Sequence, residues 1–74
     1  MAPTYTPRAG TVAHRVLTAI DAAPEGHPWT VQELAAAIGW PVGHAQGHTP
    51  IRVALDTLKA HGIVEYQPGR WTRA

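Results

Sequence analysis

Apolar side chains recur at helical spacing in three stretches of the chain, which predicts three helices. The first predicted helix covers residues 11–23, and Pro24 ends it because proline disfavours helical geometry in the preceding residue. The second begins at Thr30, which can form a capping box with Glu33, and it ends at Gly39. The apolar stripes of these two helices are Val12, Val16, Leu17 and Ile20, then Val31, Leu34, Ala35 and Ile38.

The third predicted helix covers about residues 50–61. Thr49 is its predicted N-cap, and Pro50 occupies the first helical position, where an N–H is not needed. Gly62 supplies the C-terminal stop. The apolar stripe of this helix is Ile51, Ala54, Leu55 and Leu58.

The end of the chain favours a short β-hairpin. Residues 63–67 contain β-branched and aromatic side chains, which suit a strand, and residues 70–73 can return as its partner. Between them, Pro68 and Gly69 occupy the second and third positions of a predicted type II turn. The predicted fold is therefore mainly α with a small β-hairpin, and Tyr66 and Trp71 are expected to pack beneath the hairpin.

A chain of 74 residues can bury one modest core, so a single domain is expected over residues 10–74. Residues 1–9 contain two prolines and no apolar period, which predicts a flexible N-terminal arm. No apolar run approaches the ~20 residues that a membrane span needs. The N-terminus also lacks the apolar stretch of a signal peptide, so no membrane partner and a cytoplasmic location are expected.

The composition leaves little room for catalysis. Cysteine and serine are both absent, which removes disulfides, thiolate metal sites and the usual covalent nucleophiles. Glu33 is assigned to a helix cap, and no glycine-rich phosphate loop is present. Neither an enzyme nor a cofactor is expected.

Five histidines raise the question of a metal site. His44 and His48 have the spacing of a ligand pair, and His27 or His61 could supply a third ligand. However, glycines flank this pair in a loop that no helix would hold in place. We therefore expect surface histidines and no metal.

Two stretches carry a family resemblance: TVQELAAAIG, residues 30–39, and IRVALDTLKAHGIVEY with QPGRW, residues 51–71. The second contains the pattern L-x-x-L-x-x-x-G-[IL]-V, which is met by Leu55, Leu58, Gly62, Ile63 and Val64. In these features the chain resembles the winged helix-turn-helix DNA-binding domains of bacteria and phages, over about residues 10–73. The resemblance implies a three-helix winged helix-turn-helix fold, with residues 50–61 as the recognition helix and the hairpin as the wing.

One segment departs from the family pattern. Residues 40–48 form a loop that is several residues longer than the usual turn between the two helices. The loop is either a functional insertion or the site of a short extra helical turn. Trp40 in this loop either caps the core or lies exposed as a contact for a partner.

The third helix would present polar residues opposite its apolar stripe. Arg52 is the best candidate for a base contact, because its planar fork can pair with guanine O6 and N7, a contact worth ~1–3 kcal/mol of discrimination. Thr49 and Thr57 could contact phosphate or a thymine methyl group, and Lys59 could contact phosphate. Asp56 could accept a hydrogen bond from cytosine N4, or orient Arg52 four positions earlier.

The hairpin tip, residues 67–70, would lie along the DNA backbone or the minor groove, as the resemblance implies. The expected DNA-binding residues are Thr49, Arg52, Val53, Asp56, Thr57, Lys59, Gln67, Gly69, Arg70 and Arg73. The alternative for Arg52, Lys59 and Arg70 is that they are solvated surface charges. Residues 49–74 hold four Lys or Arg against two Asp or Glu, and the remaining residues sum to −1. So small an excess predicts modest affinity, which favours a homodimer or tandem binding on a real site.

The function expected from the sequence is sequence-specific binding of double-stranded DNA by a transcriptional regulator or repressor. A recombination or replication accessory factor of a mobile element is an alternative within DNA binding. The other alternative is a winged-helix module that binds protein, with Trp40-Pro41-Val42 as an apolar anchor, because a fold does not dictate its partner.

Overall fold

The computed structural model describes residues 5–74, and residues 1–4 of the predicted arm lie outside that range. Its elements are α1 (Val12–Ala22), α2 (Val31–Ala37), α3 (Thr49–Ala60), β1 (Val64–Gln67) and β2 (Arg70–Arg73). The molecule is mainly helical with one small antiparallel hairpin, which confirms the predicted fold class and is consistent with a winged-helix layout. None of the helices in the described part of the chain has the length and apolar character needed to cross a bilayer.

Side-chain caps begin the first two helices. The Thr11 hydroxyl accepts a hydrogen bond from the His14 N–H at 3.2 Å. At the start of α2 the Glu33 N–H donates to the Thr30 hydroxyl at 3.1 Å, and the Thr30 N–H donates to the Glu33 carboxylate at 2.8 Å. This reciprocal pair is the predicted capping box, which satisfies two of the donors that a helix leaves unpaired at its N-terminus.

The second and third helices end in the same way. In α2 the Trp40 N–H donates to the Ala35 carbonyl at 2.8 Å, and in α3 the Ile63 N–H donates to the Leu58 carbonyl at 2.9 Å. Each bond spans a glycine at the C′ position, and Gly62 has a φ of 74°. This is the Schellman arrangement, and it confirms both predicted helix ends.

The start of α3 differs by one residue from the prediction. The structure places the N-cap at His48 instead of Thr49, and no side-chain hydrogen bond caps the helix. The reason lies in the preceding turn, because the N–H groups of Ile51 and Arg52 both donate to the His48 carbonyl, at 3.0 and 3.1 Å. Pro50 is therefore in the second helical position, where its missing N–H still costs no helical bond.

Residues 40–48 form a series of hydrogen-bonded turns. The His44 N–H donates to the Pro41 carbonyl at 3.3 Å, and the Gly47 N–H donates to the His44 carbonyl at 2.8 Å. None of these turns extends into a helix, so the loop does not hold the short extra helical turn that was one of the two alternatives. The Trp40 indole N–H closes the loop by donating to the Gly47 carbonyl at 2.8 Å. The Trp40 ring is partly buried against the core, as a cap would be.

The core lies where the three helices and the hairpin meet. The whole predicted stripe of α3 is buried, and α1 packs chiefly against α3. The Arg15 guanidinium on α1 donates to the Ile38 carbonyl at the end of α2, which fastens those two helices. The buried apolar residues are Val16, Ile20, Leu34, Ala35, Ile38, Ile51, Ala54, Leu55, Leu58, Ile63, Val64 and Trp71.

The hairpin is joined to the start of α2. Its turn has Gly69 at a φ of 77°, as a type II turn requires, and Gln67 pairs with Arg70 across it. The Trp29 N–H donates to the Trp71 carbonyl, and the Trp71 N–H donates to the Trp29 carbonyl, both at 2.8 Å. Trp29 thus acts as a one-residue third strand beside β2.

We expect Gly62→Ala to destabilise the domain by about 1–2 kcal/mol, the cost of left-handed backbone geometry for a residue with a Cβ. A Cβ at this position would meet no heavy atom within 4 Å, so the cost comes from the backbone alone. Chemical denaturation measures the free energy of unfolding. Gly62→Asn is the matched control. It should lose less of the free energy of unfolding, because asparagine tolerates left-handed geometry better than alanine. Equal stability of Gly62→Ala and the wild type would contradict the explanation.

Candidate nucleic-acid interface

The exposed side of α3 carries the polar residues that the sequence predicted. At 100° per residue, the direction opposite the buried stripe is shared by Thr49, Arg52, Val53 and Asp56. All four are exposed, and Val53 is 58% exposed although it is apolar. The helix therefore presents an exposed convex surface on the side away from the core.

One flank of this surface forms a groove with the hairpin and α2, which we call the wing groove. Its volume is about 510 Å³. Arg52, Asp56 and Lys59 supply the α3 wall, because they are spaced by four and three residues and so share one side of the helix. The other lining residues are Val31, Gln32, Tyr66, Gly69 and Trp71. The wing groove thus brings together four of the predicted DNA-binding residues, three from α3 and Gly69 from the hairpin turn.

Tyr66 connects the end of α3 to the hairpin tip. The Lys59 ammonium lies 5.8 Å from the centre of the Tyr66 ring, within cation–π range, and the Tyr66 hydroxyl accepts a hydrogen bond from the Gly69 N–H at 3.2 Å. Tyr66 also packs against Trp71, with 4.7 Å between ring centres. Trp71 is buried as predicted, whereas Tyr66 is 48% exposed and lines the groove. Tyr66 therefore joins the candidate site as well as supporting the hairpin.

Asp56 and Arg52 line the same groove but do not form an ion pair. Within residues 5–74 the one salt bridge at or below 4.0 Å joins Arg73 and Asp21. The expectation that Asp56 orients Arg52 therefore has no contact to support it. The Arg52 guanidinium and the Asp56 carboxylate each remain available to an outside group.

Arg73 occupies a different place from the other predicted residues. Its Nε donates to the Asp21 carboxylate at 2.9 Å, and its guanidinium also donates to the Ile63 carbonyl at 2.8 Å. The hairpin register explains this, because Arg73 pairs with Val64, which is buried, and so lies on the inward face. Arg73 fastens the hairpin to α1 and does not line the wing groove.

Val53 and Thr57 face the other flank of α3. Both line a groove against the segment before α1 and not the wing groove. The Thr57 hydroxyl donates to the Val53 carbonyl at 3.0 Å, so the donor of Thr57 is already used within its own helix. Thr57 is half-buried and less accessible than Thr49.

Arg70 and Gln67 are exposed at the tip of the hairpin, where they pair across the turn. The charge of Arg70 also acts on α2. Contacts with the Thr30 backbone N–H and hydroxyl lower the pKa of Glu33 most, and the positive charges of Arg70 and His27 lower it further. The hairpin tip thus lies within electrostatic range of the α2 N-terminus.

Besides Tyr66 and Trp71, which it placed beneath the hairpin, sequence reasoning missed two residues of the wing groove, Val31 and Gln32. They are the first two residues of α2, and they reach the groove because the Trp29–Trp71 pairing draws the hairpin to this helix end. Gln32 alone had a local signal, since it is polar and lies off the apolar stripe of α2. Its position beside the hairpin depends on a long-range contact that no local pattern indicates.

The histidines are associated mainly with aromatic rings. Ring centres are 4.0 Å apart for His61 and Tyr5, 4.7 Å for His27 and Trp29, and 4.5 Å for His44 and Trp40. His44 Nδ1 also accepts a hydrogen bond from the Gln46 N–H at 3.1 Å. Within residues 5–74, no group of three or more His, Asp or Glu side chains is arranged to hold a metal ion.

Comparisons with known protein families, with curated proteins and with solved structures find no match for this chain. The candidate site is therefore defined by geometry and chemistry alone.

We expect acid to weaken the α2 cap. Because folding lowers the pKa of Glu33, its carboxylate stabilises the folded state above the ordinary pKa of 4.5, and this contribution disappears as pH falls through the lowered value. Glutamine keeps the capping hydrogen bond without the charge. The melting temperature of Glu33→Gln should therefore lie below that of the wild type near neutral pH, and the difference should shrink in acid.

Thermal unfolding followed by circular dichroism at several pH values measures this effect. Glu25→Gln is the matched control, because it removes the same charge from an exposed turn that caps no helix. A constant difference between Glu33→Gln and the wild type across the pH range would contradict the account.

Proposed function

We propose that this protein binds double-stranded DNA sequence-specifically, as a small winged helix-turn-helix protein. In this proposal α3 enters the major groove, and the hairpin tip at residues 67–70 lies on the backbone or in the minor groove. The observation that carries the proposal is the wing groove, in which Arg52 and Lys59 of α3 face the hairpin across an open surface. A helix of ordinary diameter fits the major groove, and the N-terminal residues of such a helix usually contact base edges.

Each residue in the interface has a distinct proposed role. Arg52, exposed in the N-terminal half of α3, pairs with guanine, and Asp56, one turn later, accepts a hydrogen bond from cytosine N4. Lys59 lies at the helix end beside Tyr66 and contacts phosphate. The remaining polar contacts to the DNA backbone come from Thr49, Gln32, Gln67 and Arg70, and Gly69 lets the backbone of the hairpin turn approach the DNA closely.

The number of basic groups sets the expected strength of binding. Each neutralised phosphate contributes about −0.9 to the slope of log affinity against log salt on duplex DNA. Of the basic side chains proposed to contact DNA here, Lys59 and Arg70 are assigned to phosphate, so one copy of the chain should show a shallow slope and modest affinity. We propose that a specific site is bound by a homodimer, which doubles the number of contacts.

The biological role within this proposal is that of a transcriptional regulator or repressor in the cytoplasm. A recombination or replication accessory factor would use the same interface, so the choice between them depends on where its binding sites lie in a genome.

One observation favours a protein partner as the second candidate function. Val42 is completely exposed at a turn of the 40–48 loop, next to Pro41, and apolar side chains on such tips often contact proteins. This candidate places the contact surface on the loop and leaves the wing groove without a role.

We expect Arg52→Ala and Arg70→Ala to weaken DNA binding in different ways. Binding-site selection with the purified protein should first recover a preferred duplex, which is a palindrome if a dimer binds. Arg52→Ala should then lose ~1–3 kcal/mol of discrimination at one base pair. Arg70→Ala should weaken all duplexes about equally and make the salt slope shallower by about 0.9, since it contacts only phosphate.

Arg73→Ala is the matched control, because it removes the same charge from the same strand but from the face that contacts α1. It should lower the melting temperature and leave the affinity of the folded protein close to that of the wild type. Failure of the wild type to bind mixed-sequence duplex at low salt would overturn DNA binding and favour the protein partner.

A further inference from the structure

The segment before α1 lies along the flank of α3 opposite the wing groove. The Tyr5 ring stacks on His61 just after α3, with ring centres 4.0 Å apart and planes within 6° of parallel. Pro7 is buried, and Tyr5 is partly buried against the core. Residues 5–9 of the predicted arm are therefore packed on the domain, beginning near the C-terminal end of α3.

The other end of this segment is fixed by the α1 cap. The Arg8 carbonyl accepts two hydrogen bonds from Thr11, one from its N–H at 3.2 Å and one from its hydroxyl at 2.7 Å. The Thr11 hydroxyl also accepts from the His14 N–H, so the backbone of Arg8 is part of the α1 N-terminus. Buried Pro7 on one side and the cap on the other hold the Arg8 backbone in place, while its side chain is exposed.

Arg8 stands at the edge of a second groove, between this segment and α3. Pro50, Val53, Ala54 and Thr57 form its α3 wall. Among the residues that the structure describes, no carboxylate lines this groove, whereas Asp56 lines the wing groove. The second flank of α3 therefore carries a positive charge with no acidic neighbour among its lining residues.

A helix that lies in the major groove has a sugar-phosphate backbone on each side. The groove is about 12 Å wide, and a helix with its side chains is about 10–12 Å across, so both backbones come close to the helix flanks. The hairpin lies beside one flank of α3 and carries Arg70 exposed at its tip. A cation on the other flank would be placed to contact the second backbone.

From this geometry we propose that Arg8 is a further DNA-contacting residue, which binds a backbone phosphate on the flank of α3 opposite the hairpin. Tyr5 is a positioning residue, because its stack on His61 holds the segment that carries Arg8. This inference rests on the proposed DNA-binding function and adds a second side to the interface.

The test measures affinity and its salt dependence by fluorescence anisotropy, using the selected duplex and a mixed-sequence duplex. Arg8→Ala should weaken binding to both by the same factor and make the slope of log affinity against log salt shallower by about 0.9. Its melting temperature should match that of the wild type, since the side chain is exposed.

Thr18→Glu is the charge-matched control. It lowers the formal charge by one, as Arg8→Ala does, but on an exposed position of α1 that lines a groove with α2. It should leave the salt slope unchanged. An equal loss in both variants would mean that net charge alone is responsible and would overturn the inference.

A double-mutant cycle tests the role of Tyr5. Tyr5→Ala should weaken binding, and adding Arg8→Ala to it should produce little further loss, because the two residues act through one contact. Tyr5→Phe keeps the ring and should bind as the wild type does. Fully additive losses would overturn the positioning role.

The outcomes separate this inference from the function on which it rests. A wild type that binds no duplex at low salt overturns both. A wild type that binds, with Arg8→Ala showing the same affinity and slope, overturns the role of Arg8 and leaves the DNA-binding proposal standing.

Discussion

The arrangement of the candidate surface depends on the reciprocal backbone pairing of Trp29 with Trp71. A two-stranded hairpin is marginal alone in water, and each amide hydrogen bond adds only about 1 kcal/mol net. The pairing matters because of what it joins: Trp29 immediately precedes the Thr30 cap of α2, and Trp71 is buried in the core. Since α2 also packs with α3 through the core, the hairpin has one position relative to α3. The wing groove exists because these three elements are locked together.

Local chemistry made most of the fold predictable. The helix ends follow from backbone geometry that a glycine or a capping box specifies within a few residues, as Gly62 and the Thr30 pair show. The α3 stripe was predictable because burial on one side of a helix imposes a 3.6-residue period. The N-cap of α3 was misplaced by one residue because the turn before it, and not a side chain, sets the first helical bond.

The parts of the site that could not be predicted depend on contacts between distant residues. Arg73 had the same local signal as Arg70, a basic residue on a hairpin, yet its partner Asp21 lies 52 residues earlier in the chain. Tyr5 lies in a proline-containing segment without apolar period, which predicted an arm, and its contact with His61 again spans the chain. The sequence pattern therefore indicated which residues are exposed on α3. It did not indicate which of the other charged side chains form contacts within the fold. Two of the six Lys and Arg residues, Arg15 and Arg73, hold elements of the fold together.

The Trp40 indole bond to the Gly47 carbonyl has a consequence for how the chain can vary. The bond brings the two ends of the 40–47 segment together at the base of the loop, and Val42 lies exposed at the tip between them. Changes of length at this tip are therefore expected to cost less stability than changes at Trp40 or Gly47, which hold the base of the loop. The extra residues of this loop thus mark a place where the length of the chain can vary, separate from the surface proposed to bind DNA.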